Sequence, residues 1–274
     1  MKSLIFKCSI ILLVVLGFNA CTKDTDDDSD YEVNSTFMEH EMSQTSNFAD
    51  EAYQTGNIES GFTGGQVEVR GGGCATVTRD TLSTPKTITI DFGPTNCLCK
   101  DGRYRRGKIL VSYEGKYKEA GSVHTITFDG YYVNDNHIEG SKTVTNIGPD
   151  AQGRIQYAIT ESIKITMANG KYFERSSSRT RTWVKGFDTP SKADDEYEIT
   201  GTNTTSNSKG YGFNAEITTP LLVSADCDNI KAGIVVVVPK NPVKPQISID
   251  FGDGTCDDLA TVTINGKTHI IHLK

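Results

Sequence analysis

A heptapeptide occurs twice in this chain, and each copy sets a carboxylate close to a cysteine. Thr87-Ile-Thr-Ile-Asp-Phe-Gly93 is followed by Cys97, and Gln246-Ile-Ser-Ile-Asp-Phe-Gly252 by Cys256, in both cases four residues after the glycine. Downstream, Val111-Ser-Tyr-Glu-Gly-Lys116 matches Val262-Thr-Ile-Asn-Gly-Lys267; upstream, Cys74 and Cys227 stand 17 and 23 residues before the respective aspartate. From the second cysteine of each copy to its hairpin glycine there are 18 residues in the first and 10 in the second. A duplication of this kind gives the thiols a register. It predicts bridges Cys74–Cys97 and Cys227–Cys256, with Cys99 left over or competing for Cys74. Such bridges belong to an oxidising compartment. A metal or redox reading of Cys97-Leu98-Cys99 fails on spacing, because thiolate sites use two intervening residues and further Cys or His ligands.

The other chemistry-bearing residues are weaker signals. Asp250, Asp253, Asp257 and Asp258 surround a glycine-rich turn, but their spacing is not that of an EF-hand, and the first copy has Pro94 and Thr95 where acids would be needed. A polar turn is the expectation, with no metal and no cofactor. Asp91-Phe92-Gly93 and Asp250-Phe251-Gly252 spell a kinase tripeptide without the phosphate or catalytic loops a kinase requires. His269 and His272 lie three apart on a strand pattern and so face opposite ways. His124 and His137 flank a hairpin out of register, and His40 lacks the second histidine of a zinc-protease helix. There is no Gly-x-Ser-x-Gly elbow and no phosphate-cradling loop. Paired carboxylates for glycoside hydrolysis are not local in sequence, so only that hydrolase class stays open. One segment invites a binding role. Lys100-Asp-Gly-Arg-Tyr-Arg-Arg-Gly-Lys108 spans the extra residues of the first copy, and its Arg103, Tyr104, Arg105, Arg106 and Lys108 would suit the carboxylate or phosphate groups of acidic glycans or lipid head groups, a solvated hairpin being the alternative.

The elements that must position these residues are read from periodicity. Thr36-x-x-Glu39 has capping-box spacing, and Met38, Met42, Thr45, Ala49, Ala52 and Tyr53 then share one helical face before Gly56, which predicts one helix within 35–57. From about residue 65 the period becomes two. Ile155, Tyr157, Ile159, Ile163, Ile165 and Met167 alternate with polar residues, as do Tyr211, Phe213, Ala215 and Ile217. Asn169-Gly170, Asn265-Gly266, Glu114-Gly115 and Asn134-Asp135-Asn136 read as hairpin turns, the Asn-Gly pairs as type I′. No helical pattern separates the strands. Residues 65–274 are therefore expected to be all-β, an antiparallel meander forming a curved open sheet, a sandwich or a barrel, with pseudo-repeats at 74–118 and 227–274. Phe173-Glu-Arg-Ser-Ser-Ser-Arg-Thr-Arg-Thr-Trp183 is polar on both alternating faces. That strand is either wet on both sides or lines a polar concavity.

Charge and leader supply an address. Residues 21–60 hold one lysine against eleven Asp and Glu, whereas residues 61–274 hold 25 Lys and Arg against 24 acids. The near-neutral body gives no field to attract nucleic acid. Residues 1–20 read as a signal peptide: Lys2 and Lys7, then an apolar stretch from Ser9 to Phe18 that is too short to span a bilayer. Leu16-Gly-Phe-Asn-Ala-Cys21 resembles a lipobox, which implies lipidation of Cys21; an ordinary secretory leader is the alternative. Residues 21–34 would be an extended acidic tether. The Lys-then-acidic run after Cys21 is similar to the surface-export signal of Bacteroidota lipoproteins, implying an outer-membrane anchor facing outward, with the periplasmic face as the alternative.

Ile249-Asp-Phe-Gly-Asp-Gly-Thr-Cys-Asp257, followed by Ala260-Thr-Val-Thr-Ile-Asn-Gly266, resembles uncharacterised Bacteroidota lipoproteins, a likeness that covers most of the mature chain and implies no particular activity. The functional expectation is a surface-anchored, non-catalytic β module for adhesion, binding or envelope structure. Its partners would be the membrane, through the lipid, and an acidic glycan or envelope protein. A lipocalin-like carrier is the alternative, and a glycan-acting hydrolase a third.

Overall fold

The computed structural model describes residues 74–99, 102–189, 191, 194–227 and 229–273, together with Thr45, Phe48, Ala49 and Ala52. The leader, Cys21, the tether and the rest of the 35–57 segment lie outside the described residues. Alternating side chains give fourteen strands: β1 (Thr76–Asp80), β2 (Lys86–Asp91), β3 (Cys97–Leu98), β4 (Tyr104–Glu114), β5 (Val123–Val133), β6 (Asn136–Pro149), β7 (Ile155–Thr166), β8 (Tyr172–Lys185), β9 (Glu196–Asn207), β10 (Gly212–Ser224), β11 (Ala232–Pro239), β12 (Ile247–Asp253), β13 (Leu259–Ile264) and β14 (Lys267–His272). They form one antiparallel sheet in sequence order, with β3 alone off the path, paired to β4. β1 and β14 are its two edges. Of the expected architectures the sheet is thus the open one, not a closed barrel.

Two-residue turns set the register where the backbone adopts positive φ twice. Asn265 and Gly266 do so (φ 51° and 74°), and so do Asn134 and Asp135 (47° and 63°), the side-chain carbonyl of each first residue easing a conformation that costs other L-residues more. Two turn expectations need correction. At Asn169-Gly170 only the glycine is left-handed (φ 81°) and Gly170 N–H donates to Met167 O, which is a wider turn and not type I′. Glu114-Gly115 does not close a two-residue hairpin, because β5 begins only at Val123. The intervening residues instead carry Tyr117 and Lys118 over to β7 and β8, where the tyrosine ring stacks on Tyr157 and the exposed ammonium lies over Trp183.

One face of the sheet is buried. Ile88, Ile90, Ile109, Val111, Ile126, Ile138, Ile163 and Ile165 form its apolar centre. Thr45, Phe48, Ala49 and Ala52, a helical i, i+3, i+4, i+7 set, are buried as well, the last three within that same cluster. Phe48 lies 5.9 Å from Phe92. A second cluster gathers around Trp183 and a third around Leu221, Phe251 and Ala260.

The duplication is visible as a repeated device near the two ends of the sheet. In each copy the aspartate accepts the glycine N–H two residues on, Gly93 to Asp91 at 2.8 Å at the end of β2 and Gly252 to Asp250 at 2.9 Å within β12. Each glycine has positive φ, and each phenylalanine between them is buried. The tripeptide therefore redirects the chain while anchoring it in the core, ending β2 in the first copy and ending the β12–β13 pairing in the second. Cys74–Cys97 and Cys227–Cys256 are the two bridges, and Cys99 is free and buried. The extra length of the first copy becomes β3, its turn and the start of β4, which runs eleven residues against six in β13.

Candidate functional site

Strand alternation decides the fate of the basic segment. Tyr104 to Lys108 are part of β4, and not of an inserted loop as their position in the repeat suggested. Arg105 points inward and is fully buried; its Nε donates to Tyr131 Oη at 3.2 Å and its guanidinium sits 5.0 Å over the Phe48 ring. Arg103, in the β3–β4 turn, is half-buried, and burial followed by the nearby Arg105 charge lowers its pKa. Lys108 lies 3.5 Å from Asp91. These three are held by the fold and do not converge with the others.

Arg106 and Tyr104 face outward. The Arg106 guanidinium stacks 3.8 Å over Tyr132 of β5, and the Tyr132 ring stacks at 4.4 Å on His137 of β6. The register makes this row, since Arg106 opposes Tyr132 and Tyr132 opposes His137. At its end, Arg106 Nη1 donates to Asn96 Oδ1 at 2.7 Å and to the Asp135 carboxylate, which also accepts from Asn96 Nδ2 at 3.1 Å. Those bonds, Asn96 first and then Arg106, hold the Asp135 carboxyl below its ordinary range. Leu98 and Tyr104 are exposed beside one another as a cross-strand pair. Sequence reasoning missed Asn96, Tyr132 and Asp135 as members of this set. Only the register, visible in part through the Asn134-Asp135 turn, brings them to Arg106.

The buried face holds a second constellation. Lys142, Glu161 and Ser177 oppose one another across β6, β7 and β8. Lys142 Nζ lies 3.0 Å from Glu161 Oε1; Ser177 Oγ donates to Glu161 Oε2 at 2.9 Å, with Arg175 Nη2 at 3.9 Å. All four residues are buried. This resolves the doubly polar strand: the Arg175, Ser177 and Trp183 side is interior, and Glu174, Ser176 and Ser178 are its wet side. Close by, His124 lines a cavity of about 30 Å³ with Tyr117, Lys142 and Arg181, room for a water molecule. Burial lowers its pKa to about 4.

His124 is thus neutral in the fold at pH 7, whereas an exposed histidine takes its proton near 6.5. The stability it confers is complete above pH 6.5 and is lost as pH falls from 6.5 towards 4. After allowance for its partial solvation, we expect about 2 kcal/mol from this group. Thermal unfolding of wild type and His124→Asn at pH 7.5 and 4.5 checks this: the variant should lose less on acidification.

No protein-family model, curated protein or solved structure matches this chain.

What each cluster can do therefore rests on its geometry. Ser177 and Glu161 lack an imidazole between them, and the carboxylate faces two cations, so the set is an ion cluster and not a nucleophile with its base. Above it, Lys118 Nζ sits 4.7 Å and 4.5 Å over Trp183 and Phe187, and the Arg181 guanidinium 4.8 Å and 5.1 Å over Tyr197 and Tyr157. Those aromatic faces are occupied by the chain's own cations. The aspartates at and after the end of β12 accept turn hydrogen bonds: Asp253 from Thr255 N–H and Oγ1, and Asp257 from Leu259 N–H. Asp258 lies 2.8 Å from His272 Nδ1. Among the described residues no group of three potential ligands is placed to hold a metal ion.

Proposed function

We infer that this chain is a lipid-anchored, exported, non-catalytic β module that meets its partner through the outer face of the sheet. One observation carries the reading: the inner face is filled by the chain's own side chains, whereas Tyr104, Arg106, Tyr132, His137 and Asp135 form a continuous half-exposed row outside. Planar donors and acceptors beside aromatic rings are the groups that recognise sugars, the rings covering apolar C–H faces and the forks taking paired hydroxyls or a carboxylate. Arg106 commits Nη1 to Asn96 and Asp135, and its fork has further donors for an acidic sugar. The partner class is accordingly an acidic envelope glycan, with the membrane as the second partner through Cys21. Two disulfides and the lipobox-like leader support an oxidising, extracytoplasmic setting.

The test is binding of the purified lipoprotein to arrays of acidic and neutral glycans. Tyr132→Ala and Arg106→Ala should each weaken acidic-glycan binding by roughly tenfold or more, the loss of a central contact of about 1.4 kcal/mol. A Lys118→Ala control should bind as wild type. Unaltered binding by the first two variants, or none by wild type, overturns the glycan assignment.

A further inference from the structure

Strand β14 is an edge whose six residues are all exposed, Ile270 at 71%. Unprotected edges invite pairing, and folds usually blunt them with an internal lysine, a proline or a bulge. β14 has none of these inside it; Lys267 stands at its first position, next to the turn.

The hydrogen-bond phase of this edge follows from the hairpin. Asn265 and Gly266 form a two-residue turn, so Ile264 and Lys267 are a hydrogen-bonded pair. Leu273 N–H donates to Asp258 O at 2.6 Å, in the same phase at the far end. Lys267, His269 and Ile271 therefore spend their backbone groups on β13, and Thr268, Ile270 and His272 turn theirs outward. That outward set is symmetric about Ile270.

We propose that β14 pairs antiparallel with β14 of a second copy about a two-fold axis at Ile270, joining two open sheets into one. In this register Ile270 opposes itself, Thr268 opposes His272, and His269 opposes Ile271. All three outward residues of each copy find both of their backbone partners, and side chains from the same face of the two sheets meet. Charge agrees with the antiparallel sense. The turn end of the edge carries Lys267 and the other end Asp257 and Asp258, so each copy's basic end lies beside its partner's acidic end. A common membrane anchor would raise the local concentration of copies and favour a contact of this modest size.

The test uses the full-length, membrane-inserted lipoprotein. Ile270→Cys, treated with a short bismaleimide, should yield a band at twice the monomer mass. Val243→Cys, 90% exposed in the β11–β12 connection, should stay monomeric. Chemical cross-linking of the wild type should give the same dimer, and Ile270→Pro, which removes the central outward N–H, should abolish it. Circular dichroism matching wild type separates this loss from misfolding. Equal cross-linking at positions 243 and 270, a dimer that survives Ile270→Pro, or a product whose mass identifies a different protein, each overturns the self-pairing.

Discussion

Replacing Glu161 with alanine should lower the unfolding free energy by about 3–5 kcal/mol, the cost of stranding buried charge. Its carboxylate accepts Ser177 Oγ and faces Lys142 and Arg175, all within the buried face. Removing the anion leaves two cations in a region that cannot solvate them, while removing one cation leaves the other with the carboxylate. Lys142→Met alone should therefore cost less than Glu161→Ala. Urea unfolding followed by tryptophan fluorescence reads both, because Trp183 lies on the same strand as Arg175 and Ser177 and is itself buried. Equal or negligible losses would mean that the cluster is solvated and the face is not closed.

The bridges are the second large term. Cys74–Cys97 and Cys227–Cys256 span 23 and 29 residues, loop lengths at which cross-linking contributes about 3–4 kcal/mol each by restricting the unfolded chain. The double replacement Cys227→Ser/Cys256→Ser should lower stability by that amount without altering the strands, since the β11–β12 and β12–β13 ladders are intact without reference to the thiols. Cys74→Ser/Cys97→Ser should do the same. A single Cys97→Ser offers a sharper check, because it leaves Cys99, free and buried two residues along, as the competing thiol for Cys74. Peptide mapping under non-reducing conditions would show Cys74–Cys97 in the wild type; a Cys74–Cys99 bridge there would contradict the register read from the repeat.

Much of this fold was legible in the residues because the signals are local. Alternation over β7, the Asn265-Gly266 turn and the cysteine register each depend on neighbours within about one hairpin. The doubly polar strand β8 was legible only as a dilemma. Its interior arginines look solvent-facing until one knows that Glu161 and the rings of Tyr157 and Tyr197 lie across from them. The helical stripe was read with Thr45, Ala49 and Ala52 but without Phe48, whose burial follows from its contacts with Phe92 and Arg105, distant in sequence.

The candidate site was harder for the same reason. A run of Arg, Tyr and Lys reads as one basic patch, yet strand pleating sends Arg105 and Arg106 to opposite faces. The partners that give Arg106 its character, Asn96, Tyr132 and Asp135, come from two other segments up to 29 residues away. Register, not composition, assembles them. The aspartates at and after the end of β12 show the converse, a cluster in sequence whose carboxylates accept separate turn hydrogen bonds in the fold.

The proposed function rests on export of this chain and on its anchoring through a lipid at Cys21. Metabolic labelling with an alkyne palmitate analogue tests that directly. Label is expected in the membrane fraction for the wild type and should be lost in Cys21→Ser. An unlabelled wild type, or label that persists in Cys21→Ser, would contradict the anchoring.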